Sequence, residues 1–160
     1  MTAVEFRLEP YDGEAAQLLI AEVQAEYVVR YGGPDETVLA ASDFEAPRGA
    51  FFVAYADGAP VATGAWRGHG AADAEMKRLY VRPSARGLGL ARRMVSILEE
   101  SARRQGRARM ILETGIHQPE AIALYTSLGY APVTPFGLYA GEKNARHFGR
   151  ELGRELQESN

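Results

Sequence analysis

Apolar and polar residues change their period several times along this chain, and each change marks an element. "VEFRLEP" (residues 4–10) alternates and stops at Pro10, as a first strand would. From Asp12, a residue suited to capping, the spacing turns helical. Ala15, Leu18, Leu19, Val23 and Tyr27 define an apolar stripe that ends near "YGGP". Residues 32–49 place Gly32, Gly33, Pro34, Pro47 and Gly49 around "TVLAASDF", which reads as a loop with one short helix. In "AFFVAYADGAPVATGAWR" two apolar runs flank Asp57-Gly58, a dipeptide that tolerates the positive backbone angles of a tight hairpin, so two adjacent antiparallel strands are predicted. "AEMKRLYV" (74–81) is a third run, again antiparallel to its predecessor. Leu90, Met94, Ile97, Leu98 and Ser101 then recur at helical spacing, with Arg92, Arg93, Glu99 and Glu100 turned outward and Gly106 beyond the end. "RARMILET" (107–114) closes a strand-helix-strand unit, which implies a right-handed crossover and a parallel pair. "QPEAIALYTSLGY" (118–130) is a short helix with Pro119 at its first position and Gly129 past its end. "APVTPFG" and "ARHFGREL" are late strand candidates, although the charges of the second suit a helix as well. The order predicts one α/β domain over residues 1–160 with a mixed, mostly antiparallel central sheet and flanking helices; the polar tail "GRELQESN" is expected to fray.

Composition narrows the class. With 160 residues, 46% hydrophobic and 24% charged, the chain has the size of a single domain with a full core. No apolar run approaches the roughly eighteen residues that cross a bilayer, and the start lacks a signal-peptide pattern. A soluble, cytoplasmic protein with no membrane partner is expected. A formal charge of -3 gives no electrostatic reason to expect nucleic acid. The chain has no cysteine, which removes disulfides, zinc-thiolate sites and a cysteinyl acyl-enzyme together. His69, His117 and His147 are scattered without ligand spacing, so they read as surface residues and no metal is expected; His117 alone falls beside a strand end where a substrate contact is conceivable.

The most informative stretch is "YVRPSARGLGLARRMV" (80–95). A strand that passes through Arg-Gly-Leu-Gly into a helix offers unpaired N–H groups at a helix N-terminus, where anions are favoured and glycines permit close approach. The same glycines also suit a plain tight turn with solvated arginines. The dinucleotide pattern fails because its third glycine is absent after Gly89, and the ATP-type loop fails because no Gly-Lys pair occurs.

Arg86 to Ala91, Arg-x-x-Gly-x-Ala after a strand ending "LYV", resembles the pyrophosphate loop of the GNAT superfamily of acetyl-CoA-dependent N-acetyltransferases. "QPEAIALYTSLGYAPV" is similar to that family's second hallmark, an apolar-faced helix with a tyrosine four residues before a Gly-aromatic pair. The resemblance covers residues 50 to 137, and the first fifty residues resemble the family only in layout. It implies a parallel pair of strands that splays to admit the pantetheine arm, with the backbone of Leu79 and Val81 pairing to it. An N–H near Leu79 or Tyr80 would polarise the acyl carbonyl. Gly87, Leu88, Gly89, Leu90 and Ala91 would cradle the diphosphate, with Arg86 and Arg82 alongside. Gln118 stands where many members have asparagine, offering a longer arm toward the cofactor. Tyr125 would act as the acid for the departing sulfur, its alternative being a core aromatic; Glu75 resembles the base glutamate of one branch, its alternative being a salt bridge to Lys77, Arg78 or Arg67. Trp66 is read as core or pocket wall. Tyr27 and Tyr31 belong to the region that covers the acceptor in this family, and "DET" (35–37) is either solvated or an attractor for a cationic amine. The resemblance implies acetyl transfer from acetyl-CoA to a primary amine, most simply of a small molecule, by direct attack in a ternary complex. A non-catalytic acyl-CoA sensor and a protein lysine or N-terminal acetyltransferase are the alternatives, and a homodimer is an open option.

Overall fold

The computed structural model describes residues 3–153; the predicted fraying of the tail concerns residues beyond these. Strand β1 (Val4–Leu8) leads into helix α1 (Glu14–Tyr31), and a single 3-10 turn (Ala41–Phe44) follows. Then come β2 (Gly49–Ala56), β3 (Ala59–His69) and β4 (Asp73–Val81), with a second 3-10 turn (Pro83–Ala85) before α2 (Leu90–Arg104). β5 (Arg109–Gly115), α3 (Pro119–Ser127), β6 (Ala131–Pro132) and β7 (Ala145–Glu151) complete the order. The strands form one sheet, β1-β2-β3-β4-β5-β7-β6, in which only β4 and β5 run parallel. This is the mixed α/β architecture that the period changes predict. The hairpin turn between β2 and β3 holds Asp57 and Gly58 at φ 51° and 81°, the pair of positive angles a two-residue turn with the strands' twist requires.

Two cores sandwich the sheet. On one face α2 packs Met94, Val95 and Leu98 against Trp66, Met76, Met110 and Leu112; on the other α1 packs Leu19, Ile20 and Val23 against Phe51, Val53 and Ala65. Each such side chain fully buried contributes on the order of 1.5–3 kcal/mol. Gly64 lets α2 lie close on β3, since a Cβ there would sit 2.5 Å from Met94 Cγ. Helix α2 therefore starts at the mid-sheet, next to the end of β4.

The structure rotates the expected stripes. The buried face of α1 is Ala16, Leu19, Ile20 and Val23, a stripe at three- and four-residue spacing that packs on Phe51, Val53 and Ala65, while Leu18 is 47% exposed; the helix begins at Glu14 with Gly13 as its cap rather than Asp12. Glu99 is buried instead of outward: it accepts hydrogen bonds from Tyr130 Oη at 2.6 Å and Arg150 NH1 at 2.8 Å, and two donors make burying a carboxylate tolerable. Only Ala131–Pro132 of "APVTPFG" joins the sheet. "ARHFGREL" is a strand over Ala145–Glu151, since pairing along the whole of β5 decides against a helix.

Against β4, Gly64 of β3 faces two residues: Thr63 pairs with Tyr80 and Ala65 with Lys77, so Arg78 and Leu79 share one place. This is a β-bulge, with Arg78 held at φ 56° and its carbonyl capped by Thr63 Oγ1 at 2.8 Å. The parallel pairing of β4 with β5 stops just before it, covering only Asp73–Glu75 against Arg109–Ile111. From Met76 onward the two strands part.

Candidate active site

The gap between β4 and β5 opens into a cleft of about 810 Å³ whose walls are α1, the loop after it, the start of α2 and α3. Its floor carries an unpaired strand edge. Arg82 N–H donates to Val61 C=O at 2.8 Å, and strand alternation therefore turns Tyr80 toward β3 and aims the N–H and C=O groups of Leu79 and Val81 into the gap. At the end of this edge, the first N–H of α2 with a backbone acceptor is that of Arg93, to Gly89 at 3.1 Å. The N–H groups of residues 87–92 have no backbone acceptor among the described residues. Gly87 and Gly89 hold φ 84° and 77° and have open space where a Cβ would stand, so the loop presents bare backbone donors at a helix N-terminus.

The arginines of the loop are held back from it. Arg86 donates from Nε to Val81 C=O at 2.9 Å and from NH2 to Glu26 at 3.1 Å, at the cleft rim. Arg82 is engaged by Glu22 at 2.5 Å and by the Pro60 carbonyl at 3.2 Å and does not line the cleft. That pair holds the Glu22 carboxyl below its usual range, the Arg82 hydrogen bond being the main cause.

Across the cleft, α3 presents Tyr125. Its side chain is buried against Tyr130 with ring centroids 5.8 Å apart, it lines the cleft, and its hydroxyl has no hydrogen-bond partner among the described residues. Burial pushes the phenol well above its usual range, so it keeps its proton at neutral pH. Gln118, the cap of α3, also lines the cleft, and its Oε1 accepts from Tyr31 Oη at 3.1 Å. The end of α1 straps this side. Arg30 donates to the His117 carbonyl at 2.7 Å and pairs with Glu120 at 2.7 Å, while Tyr31 packs against Gly115, where a Cβ would collide with the ring. Tyr27 is half-buried on the same helix, and desolvation pushes its phenol up to about 12.

The far end of the cleft is built from charged side chains. Asp35 Oδ2 accepts from Lys77 Nζ and from Arg78 NH1, both at 2.8 Å, and Oδ1 accepts from Thr37 N–H at 2.9 Å. "DET" is thus tied in rather than solvated. Burial opposes the Asp35 charge, but Lys77 and the hydrogen bonds prevail and hold its carboxyl far below the usual range. Glu113 on β5 lines the cleft and lies 2.8 Å from Nε2 of His147, its direct cross-strand partner on β7. Burial raises the Glu113 carboxyl above its usual range, with His147 opposing. His147 is buried, correcting its reading as a surface residue; the strand pairing of β7 turns it inward. Glu75, by contrast, is buried in an ion pair with Arg67 at 3.1 Å and is not part of the cleft lining. Trp66 is core, its Nε1 donating to Ser101 Oγ at 2.9 Å. Among the described residues no group of three or more His, Asp or Glu side chains is placed to hold a metal ion, and no helix is long and apolar enough to cross a membrane.

Backbone donors at a helix N-terminus beside an open strand edge suit an extended ligand with a phosphate-bearing end. The comparisons with known proteins assign that class. The sequence profile of the acetyltransferase (GNAT) family matches residues 17–130, and the chain belongs to this family, whose members use acyl-CoA as co-substrate. The profile reaches back to residue 17, so all but the first three residues of α1 lie within it. The Azospirillum brasilense protein named IAA acetyltransferase is 45% identical over 65 residues, 41% of this chain and 42% of that protein. The Escherichia coli protein named uncharacterized N-acetyltransferase YjgM is 43% identical over 56 residues, 35% of this chain and 34% of that protein. The matched segments thus span less than half the length of these curated relatives. A solved Klebsiella pneumoniae structure described as a "putative acyl-CoA N-acyltransferase" superposes with a TM-score of 0.78 at 27% identity, covering 96% of this chain and 99% of that one.

Proposed function

We propose that this chain transfers an acetyl group from acetyl-CoA to the primary amine of a small molecule by direct attack in a ternary complex. The observation that carries the reading is the abrupt end of β4–β5 pairing after Glu75, beside consecutive free N–H groups at residues 87–92. Gly87, Leu88, Gly89, Leu90 and Ala91 fit a diphosphate, and the open edge at Leu79 and the Val81 N–H fits an amide-bearing arm lying as an extra strand, the Val81 carbonyl already accepting from Arg86. Acetyl-CoA supplies an activated thioester acyl group. The Leu79 N–H is the donor aimed at the acyl oxygen. Tyr125 keeps its proton and donates it to the departing sulfur.

The base is better placed at Glu113 than at Glu75. An alkylammonium is almost wholly protonated at neutral pH, so a group must remove a proton before attack. Glu113 lines the cleft, its raised carboxyl brings it nearer to working pH, and His147 can carry the proton onward through their shared hydrogen bond. Glu75 is occupied by Arg67. Sequence reading does not single out Glu113 and takes His147 for a surface residue, because their meeting depends on the register of β5 with β7.

Acetyl-CoA turnover across a panel of small amines tests the function, with Tyr125→Phe and Glu113→Gln as controls. Turnover on at least one amine, lost in both variants while acetyl-CoA binding is retained, is the expected result. Binding without turnover on any amine or peptide would favour the sensor alternative, and turnover confined to peptides would favour the protein acetyltransferase.

A further inference from the structure

Lys77 and Arg78 are both buried in the wall of the cleft and share a single carboxylate oxygen, Asp35 Oδ2. The other Asp35 oxygen is taken by the Thr37 N–H, and the Asp35 main chain is fixed to α1 through Gln24, at 2.8 Å from its N–H and 3.1 Å to its carbonyl. One anion therefore faces two cations. Arg78 Nε is buried with no hydrogen-bond partner among the described residues. Arg78 also occupies a left-handed backbone conformation, which residues with a side chain adopt at a cost.

Among the described residues Asp35 is the acid that ion-pairs with Lys77 and Arg78, and the Glu113 carboxyl feels Lys77 only through space. Glu113 binds His147, and neither Glu36 nor Glu142, which line the same end of the cleft, makes an ion pair with Lys77 or Arg78 among the described residues. A buried cation in excess and a buried donor without an acceptor are both unfavourable until a counter-charge arrives. Within the direct ion pairs the excess is one cation, and Arg78 Nε is the unmatched donor, so the fitting partner is a monoanion.

We propose that the acceptor carries a carboxylate beside its amine, so that its class is the amino acids and related amino-carboxylates. The carboxylate sits on Lys77 and Arg78, leaving the amine for Glu113. This inference rests on the acetyltransferase reading above, since it names the acceptor of that same cleft.

Product binding tests it apart from turnover. With CoA present, calorimetry compares N-acetyl-phenylalanine with N-acetyl-phenethylamine and N-acetyl-leucine with N-acetyl-isoamylamine; N-acetyl-phosphoethanolamine is the phosphate arm. The carboxylate member of each pair is expected to bind about tenfold more tightly. Lys77→Met should erase that preference, leaving the neutral member's affinity within about twofold, and Lys77→Arg should keep it. Equal affinities within the pairs, a preference for the phosphate compound, or a carboxylate preference that survives Lys77→Met would overturn the proposal. If Lys77→Met fails to fold, the pairs measured on the unaltered protein and on Lys77→Arg still decide it. A carboxylate preference in binding together with no acetyl-CoA turnover on any amine would uphold this site and sink the transferase reading.

Discussion

The two ends of the cleft are made of different materials. At the end beside α2, where we propose that the diphosphate binds, the exposed groups are main-chain N–H donors, supplied by consecutive residues and aimed by two left-handed glycines. At the far end they are ionisable side chains from separate segments: Asp35 from a loop, Lys77 and Arg78 from β4, Glu113 from β5 and His147 from β7. Main-chain donors read no side-chain identity and suit a donor that stays the same; a cluster of side chains can be re-specified one residue at a time, which suits an acceptor that varies.

Mutations should separate the ends by kind of effect. The largest changes are expected where protons move. Glu113→Gln and Tyr125→Phe should each lower kcat about 10²- to 10⁴-fold while the Kd for acetyl-CoA shifts little, as steady-state kinetics and calorimetry can show. Because the Glu113 carboxyl is raised, the acid limb of kcat/KM should lie above the ordinary carboxylate range and vanish in Glu113→Gln.

Next comes stability at the charged end. Asp35→Asn leaves Lys77 and Arg78 without their shared anion and should cost about 3–5 kcal/mol in urea unfolding. The folded protein holds this carboxyl below its unfolded value. Its stabilisation is thus present above about pH 4 and is lost as pH falls toward the folded value. Stability should accordingly fall less steeply between about pH 5 and pH 2 in Asp35→Asn than in the unaltered protein.

At the main-chain end the effects are milder and fall on binding. Gly87→Ala and Gly89→Ala each force a Cβ onto a positive φ, costing about 1 kcal/mol, and should weaken acetyl-CoA about tenfold with kcat nearly unchanged. The smallest effect is expected at Glu75. Arg67 keeps the Val38 carbonyl at 3.0 Å and Asp43 at 3.6 Å, so Glu75→Gln should cost about 1 kcal/mol and leave kcat within about twofold. A hundredfold loss of kcat there would return the base to Glu75.

The same division explains what could be read before the structure. The main-chain end is local, a strand, two glycines and a helix stripe in one run of sixteen residues, so its elements and boundaries follow from spacing. The charged end depends on register. Glu113 and His147 are 34 residues apart and meet only because β5 and β7 pair along their full length, and Asp35 is 42 residues from Lys77. Nothing in their local spacing signals either meeting. Glu99 was misjudged for a related reason: its partners Tyr130 and Arg150 come from beyond its helix. Element order and the single parallel crossover were legible because period changes and connection handedness are short-range constraints.

The bulge at Arg78 also acts as a phase shifter. Period-two alternation would put Lys77, Leu79 and Val81 on one face of the sheet, yet Lys77 reaches toward the loop after α1 whereas Leu79 and Val81 pack with the α2 core, and Tyr80 joins the α1 core. The extra residue inverts the strand's in-out parity halfway along its length. Deleting Arg78 would therefore do more than remove one cation: it would leave Lys77 and Tyr80 on the α1 side and Leu79 and Val81 on the α2 side in plain alternation, and give β4 an uninterrupted edge with every reason to zip onto β5 and seal the gap.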